Sequence, residues 1–128
     1  MRGPLRVVAV AMLVSACAPE VVRQPIVALS ATEARGHADP IVLARPATIR
    51  LGTGYERVLA AGSRWRFAGV VPQGSIYRAA QGVFTVEGAN IHEAYLVVRD
   101  RNVVGFYLPV ERAFSPLSDP VRLSLEIN

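Results

Sequence analysis

Residues 91–110 read Ile91-His92-Glu93-Ala94-Tyr95-Leu96-Val97-Val98-Arg99-Asp100-Arg101-Asn102-Val103-Val104-Gly105-Phe106-Tyr107-Leu108-Pro109-Val110. Two runs rich in Val, Leu, Tyr and Phe flank a short polar segment, which is the pattern of an antiparallel hairpin. With Asp100-Arg101-Asn102 as a three-residue loop and Arg99 opposite Val103, Val98 faces Val104, Leu96 faces Phe106, Ala94 faces Leu108 and His92 faces Val110. These four pairs share one apolar face, and Tyr95 meets Tyr107 on the other. Side chains alternate along a strand, so a slip of one residue would put each apolar position opposite one of the wrong face. Asn102 suits the left-handed position of a three-residue loop.

The same period extends outward. Strands are expected at 47–51, 56–60, 64–71, 75–79, 82–86, 91–99, 103–110 and 121–127, separated by Gly, Pro and Asn punctuation. Val121, Leu123, Leu125 and Ile127 alternate with Arg122, Ser124 and Glu126, as a half-buried strand does. Pro72-Gln73-Gly74 and Glu87-Gly88-Ala89-Asn90 read as turns, and no segment past residue 17 sustains a helical period. The fold class is therefore all-β, a small antiparallel barrel or sandwich. Ala61-Gly62-Ser63-Arg64-Trp65-Arg66 followed by Pro72-Gln73-Gly74 loosely resembles small SH3-like barrels, a likeness that carries no binding residue across.

All nine aromatic residues lie between Tyr55 and Phe114. Large side chains dominate burial, which places the folded domain in residues 47–128. Residues 18–46 hold Pro19, Pro25, Pro40 and Pro46 among alanines and small polar residues and read as a tether, with a root-mean-square span of about 30 Å if flexible. Two patches interrupt it, Ile26-Val27-Ala28-Leu29 and Ile41-Val42-Leu43, each able to dock as a short edge strand.

The N-terminus is a targeting segment. Arg2 and Arg6 precede the apolar run Val7 to Val14, which is too short for a membrane span of about 20 residues and has the length of a signal-peptide core. Val14-Ser15-Ala16-Cys17 resembles the lipobox of bacterial lipoproteins: an aliphatic residue, two small residues and a cysteine. The resemblance implies removal of residues 1–16 by cleavage between Ala16 and Cys17, a diacylglyceryl thioether on Cys17 and an acyl chain on its amine. Cys17 is the only thiol in the chain. In that family an aspartate after the cysteine retains the protein at the inner membrane. Ala18 stands there, so the resemblance points to the outer membrane, facing the periplasm. The organisation expected is thus 1–16 signal peptide, 17–46 lipidated cysteine and tether, and 47–128 β domain.

The 128 residues carry 14 Lys+Arg, all of them arginine, against 10 Asp+Glu. Removal of residues 1–16 takes two arginines away, so the balance falls from +4 to +2. One cysteine and two histidines exclude a disulfide scaffold and a zinc ribbon, and neither nucleic-acid binding nor a cofactor is expected. His92 is the only histidine of the domain. Glu93 beside it points to the opposite face of the strand, so His92 reads as a structural residue at a barrel rim. No serine sits in a nucleophile elbow, and Gly52-Thr53-Gly54 reads as a turn rather than a phosphate loop. The chain is not expected to be an enzyme.

Charge is more informative. Residues 50–78 hold Arg50, Arg57, Arg64, Arg66 and Arg78 against Glu56 alone. Arg64 and Arg66 alternate with Trp65 and Phe67, so the arginines share one face, either simply solvated or turned toward an anionic surface or partner. Pro109 to Pro120 should be a loop, because its prolines block regular pairing. Within it Phe114 and Leu117 either plug one end of the barrel or form an exposed apolar contact. The pair Tyr95 and Tyr107 poses the same choice. The expected function is a lipid-anchored, non-catalytic interaction module that docks a protein partner or an anionic envelope polymer. The alternative is a lipid-anchored binder of a small or lipidic ligand. A binder requires a concave pocket with convergent polar groups, an interaction module an exposed patch or open strand edge, and an enzyme a cleft in which His92 reaches a hydroxyl or carboxylate.

Overall fold

A computed structural model describes residues 3, 19–34 and 38–127. The lipobox, with Ala16 and Cys17, lies outside the described residues, as does His37. The described chain is all-β, without helix. Its strands are β1 (Gln24–Pro25), β2 (Leu29–Ser30), β3 (Ile41–Val42), β4 (Ala47–Arg50), β5 (Glu56–Leu59), β6 (Arg64–Val71), β7 (Gly74–Ala79), β8 (Thr85–Glu87), β9 (Ile91–Glu93), β10 (Tyr95–Arg99), β11 (Asn102–Leu108) and β12 (Ala113–Arg122). One antiparallel sheet runs in the order β1-β12-β11-β10-β7-β6-β2, and β3 also pairs with β6. Two separate hairpins, β4-β5 and β8-β9, complete the fold.

The sheet cannot be flat. β1 and β2 stand at opposite ends of its order, six inter-strand steps apart, which in a flat sheet amounts to about 29 Å. Pro25 and Leu29 are only four Cα steps apart along the chain, a reach of about 14 Å at most. The sheet therefore curls until its edges approach, and residues 24–30 form a strap across the gap. One end of the strap pairs with the start of β12 (Gln24↔Phe114, Pro25↔Ala113). The other pairs with the end of β6 (Leu29↔Val70, Ser30↔Gly69). Gly69 has φ +152, and a Cβ there would stand 2.1 Å from the Leu29 carbonyl oxygen, so only glycine admits the strap.

A second closure lies on the other diagonal. β3 pairs with the start of β6 (Ile41↔Trp65, Val42↔Arg64), while Leu43 bridges Leu125, beyond the end of β12. Twisted sheets bend in opposite senses along their two diagonals, and each face here holds its own core. Leu43, Ile49, Leu59, Trp65, Phe84, Leu96, Phe106 and Leu108 form the larger core, to which both hairpins contribute. Val71, Ile76, Val97 and Phe114 form the smaller one, with Ile26 and Ala28 of the strap packed against it. Each fully buried aliphatic or aromatic side chain stabilises the fold by about 1.5–3 kcal/mol.

Several expectations need correction. The 91–110 hairpin keeps Leu96↔Phe106 and Tyr95↔Tyr107, but its loop has two residues, with Arg99↔Asn102 paired. Asp100 (φ 51) and Arg101 (φ 62), rather than Asn102, take the left-handed positions, as a type I′ turn requires. A bulge between Val97 and Val98 absorbs the one-residue difference. Strand 91–99 breaks at Ala94, whose N–H donates to the Phe84 carbonyl. β9 therefore pairs with β8, and His92 lies opposite Val86 rather than Val110.

Residues 113–122 form a strand rather than a loop. Its prolines fall where the ladder is one-sided or broken: the strap stops at Phe114, and the pairing with β11 opens between Pro116 and Val121. Phe114 (4% exposed) and Leu117 (8%) are buried in the smaller and larger core respectively, so neither offers a surface contact. Of the terminal alternation, Leu123 is buried but Ile127 is exposed. Within residues expected as a tether, the segments 24–30 and 41–43 are built into the sheet, and Val21 and Leu43 are buried in the larger core.

Candidate functional site

The β5–β6 turn and the segment after β7 enclose an open groove of about 620 Å³. Its lining includes Arg57, Arg64 and Arg66 and contains no Asp or Glu. Strand alternation on β6 buries Trp65 and leaves Arg64 and Arg66 exposed. Trp65 is fixed from both sides. Its indole N–H donates to Ser63 Oγ (3.1 Å), the Ser63 hydroxyl donates to the Ala60 carbonyl (2.6 Å), and its ring meets Phe84 edge-on at 5.3 Å. These contacts set the turn that carries the arginines on a rigid base.

Arg57 is the member that alternation hides. It lies on the same side of β5 as buried Leu59, a position the pattern would fill with an apolar residue. Its guanidinium lies over the Phe84 ring, 4.6 Å from the centroid, a cation–π arrangement. Arg57 Nε is buried and has no hydrogen-bond partner. A buried donor left unpaired costs about 1–3 kcal/mol, partly offset by the cation–π contact with Phe84. Arg66 also stands directly opposite Arg78 across β6 and β7. Like charges so placed repel, although Arg78 itself lies outside the groove lining. Val58 and Val83, both exposed, line the same groove and give it apolar margins.

The other sequence candidates do not converge on this groove. Tyr95 and Tyr107 pair across the sheet with ring centroids 6.4 Å apart. Both are half-buried against the smaller core. Leu117 lines a separate hollow of about 370 Å³, bounded by residues 19–22, 51–53 and 115–118.

His92 is 4% exposed and held between two carboxylates. Its Nδ1 lies 2.6 Å from Glu111 Oε1, and its Nε2 2.9 Å from Glu20 Oε1. Burial opposes charging of the ring, but hydrogen bonds to Glu111 and Glu20, with their charges, outweigh it and raise the His92 pKa. When protonated, the ring donates to both carboxylates. Glu20 also accepts from the Asn90 side chain (2.8 Å) and the Val21 N–H (2.8 Å). Chiefly through His92, then Val21 and Asn90, its pKa falls to about 2. Both ring nitrogens are engaged and turned to different carboxylates, so the cluster is a clamp on the N-terminal segment rather than an open acid–base site. Among the described residues no group of three or more His, Cys, Asp or Glu is placed to hold a metal ion.

No family model, curated protein or solved structure matches this chain. No helix among the described residues is long and apolar enough to cross a membrane.

Proposed function

We propose that the chain is a lipid-anchored, non-catalytic interaction module of the bacterial envelope that docks an anionic envelope polymer in the Arg57–Arg64–Arg66 groove. The observation that carries this reading is the groove itself, where three arginines line one concavity without a carboxylate. Bidentate guanidinium donors suit phosphate and carboxylate groups. The groove is open to solvent, so a polymer can enter it, and its Val58 and Val83 margins accept the uncharged parts of a chain. The anchor is the acylated Cys17 implied by the lipobox, in the periplasmic face of the outer membrane where the cell has one. Tethering at a surface raises the effective concentration of any polymer there, so modest groove affinity suffices.

The test uses the full acylated protein and purified lipopolysaccharide as the polyanion, with inorganic phosphate as the monomeric control. Arg64→Glu with Arg66→Glu should weaken lipopolysaccharide binding by at least about tenfold, as expected when charge-assisted hydrogen bonds of about 1.5–3 kcal/mol are removed. Wild-type binding should weaken as salt rises. Unchanged binding by the double variant would overturn the groove assignment. Phosphate binding as tight as that of the polymer would favour the small-ligand alternative.

A further inference from the structure

We propose that the rim around the His92 clamp lies flat against the membrane, with Val22, Ile91 and Val110 entering the lipid headgroup region. This rests on the acylated Cys17 of the preceding reading. The argument begins with where the chain becomes part of the domain. Glu20 is bonded to His92 and Asn90, and Val21 next to it is 3% exposed in the larger core. Glycine at position 88 makes room for both. A Cβ there would stand 2.6 Å from Glu20 Oε1 and 2.8 Å from Val21 N.

Only three Cα steps separate Cys17 from Glu20, a reach of about 11 Å at most whatever conformation they take. Each headgroup layer is about 5–8 Å thick. A thioether-linked glycerol sits at the inner boundary of that layer, so about half or more of the reach is used in crossing it. The Glu20 backbone is thereby held within about 6 Å of the outer boundary, and the surface that carries Glu20 must face the lipid.

That surface is suited to the contact. Val22 (60% exposed), Ile91 (68%) and Val110 (75%) are large apolar side chains open to solvent. Each adjoins a residue that meets the clamp: Val22 follows Val21, Ile91 follows Asn90, whose side-chain amide donates to Glu20, and Val110 precedes Glu111. Exposed Arg23 and Arg112 flank the same segments and can pair with lipid phosphates. When protonated, His92 offsets one of the two clamp carboxylates, which reduces repulsion from an anionic leaflet. The occupant is therefore lipid, because the anchor leaves no space for a protein layer between this rim and the bilayer.

Acylation consumes the Cys17 thiol, so a cysteine introduced elsewhere in the acylated protein is its only free thiol. Ile91→Cys, Val110→Cys and, as control, Val58→Cys are each labelled with an environment-sensitive fluorophore. They are then placed in phosphatidylethanolamine–phosphatidylglycerol vesicles containing brominated lipid. The labels at 91 and 110 should shift to the blue and be quenched, and the label at 58 should remain aqueous. Gly88→Ala, which crowds Glu20 out of the clamp, should weaken quenching at 110 while the protein stays bound. The mass of the N-terminal peptide is read from the same sample. If the acyl mass is present and the labels at 91 and 110 remain aqueous, the docking face is wrong and the anchor stands. If the acyl mass is absent, the anchor reading fails and the docking face falls with it.

Discussion

At the scale of single residues, His92 and Arg57 show how a side chain acquires a role from partners that the local sequence does not display. Glu93 adjoins His92 yet points away from it, and the alternation of side chains makes that legible. The carboxylates it does meet come from Glu20 and Glu111, 72 and 19 positions away, and no local period encodes such a distance. The clamp has a definite pH signature. Its imidazolium has a raised pKa, so its stabilisation is complete below the ordinary histidine pKa and is lost as pH rises through the raised value. A neutral ring donates only one N–H and turns a lone pair toward the second carboxylate. The Glu20 carboxyl is held down to about 2, so its share is present above the ordinary carboxylate range and is lost only as pH falls through about 2. Urea midpoints measured from about pH 5 to about pH 9, a window spanning the ordinary histidine value, should fall with rising pH in the wild type. His92→Gln should flatten that dependence and lower stability by about 1.5–3 kcal/mol, the range for hydrogen bonds to charged groups. An unchanged pH profile in the variant would show that the clamp contributes nothing.

At the scale of elements, alternation was legible wherever a strand has one buried and one open face. The expected 64–71 coincides with β6, and 47–51, 56–60 and 75–79 agree with β4, β5 and β7 to within a residue. Reading failed where prolines or bulges intervene. Residues 113–122 pair in spite of Pro116 and Pro120 because one flank is open and the ladder itself splits. The β10–β11 loop failed for a related reason. Two registers, one on each side of the Val97/Val98 bulge, both satisfy the apolar face, and the choice between them rests on turn geometry. That turn offers a stability test. Arg101 occupies φ 62, a conformation that glycine adopts without steric cost. Arg101→Gly converts the pair to Asp-Gly, the preferred type I′ sequence, and should raise stability by about 0.5–1 kcal/mol, the left-handed strain relieved less the chain entropy that glycine adds. Thermal unfolding reads the change, and a fall in midpoint would contradict the two-residue turn.

At the scale of the whole molecule, the N-terminal third is where composition misleads. Residues 18–46 lack aromatics and carry four prolines, which is the profile of a linker. Yet 24–30 close one diagonal of the sheet and 41–43 the other. Short strands leave little periodic trace, and the function of these two is set by what they bridge. The two patches Ile26-Val27-Ala28-Leu29 and Ile41-Val42-Leu43 were nevertheless visible as apolar interruptions. If 47–128 were a self-sufficient domain, removal of 19–46 would leave it folded. The structure predicts otherwise. Removal takes Leu43 and Val21 from the larger core and Ile26 and Ala28 from the smaller, and exposes the edges of β6 and β12 to pairing with other chains. Leu43 alone is fully buried, and loss of such a side chain costs about 2–5 kcal/mol, a large part of the 5–15 kcal/mol that holds an ordinary small domain together. The 47–128 fragment should therefore give no cooperative urea transition and should associate, whereas residues 19–128 should unfold in a single transition as a monomer. A folded, monomeric 47–128 fragment would refute the double closure.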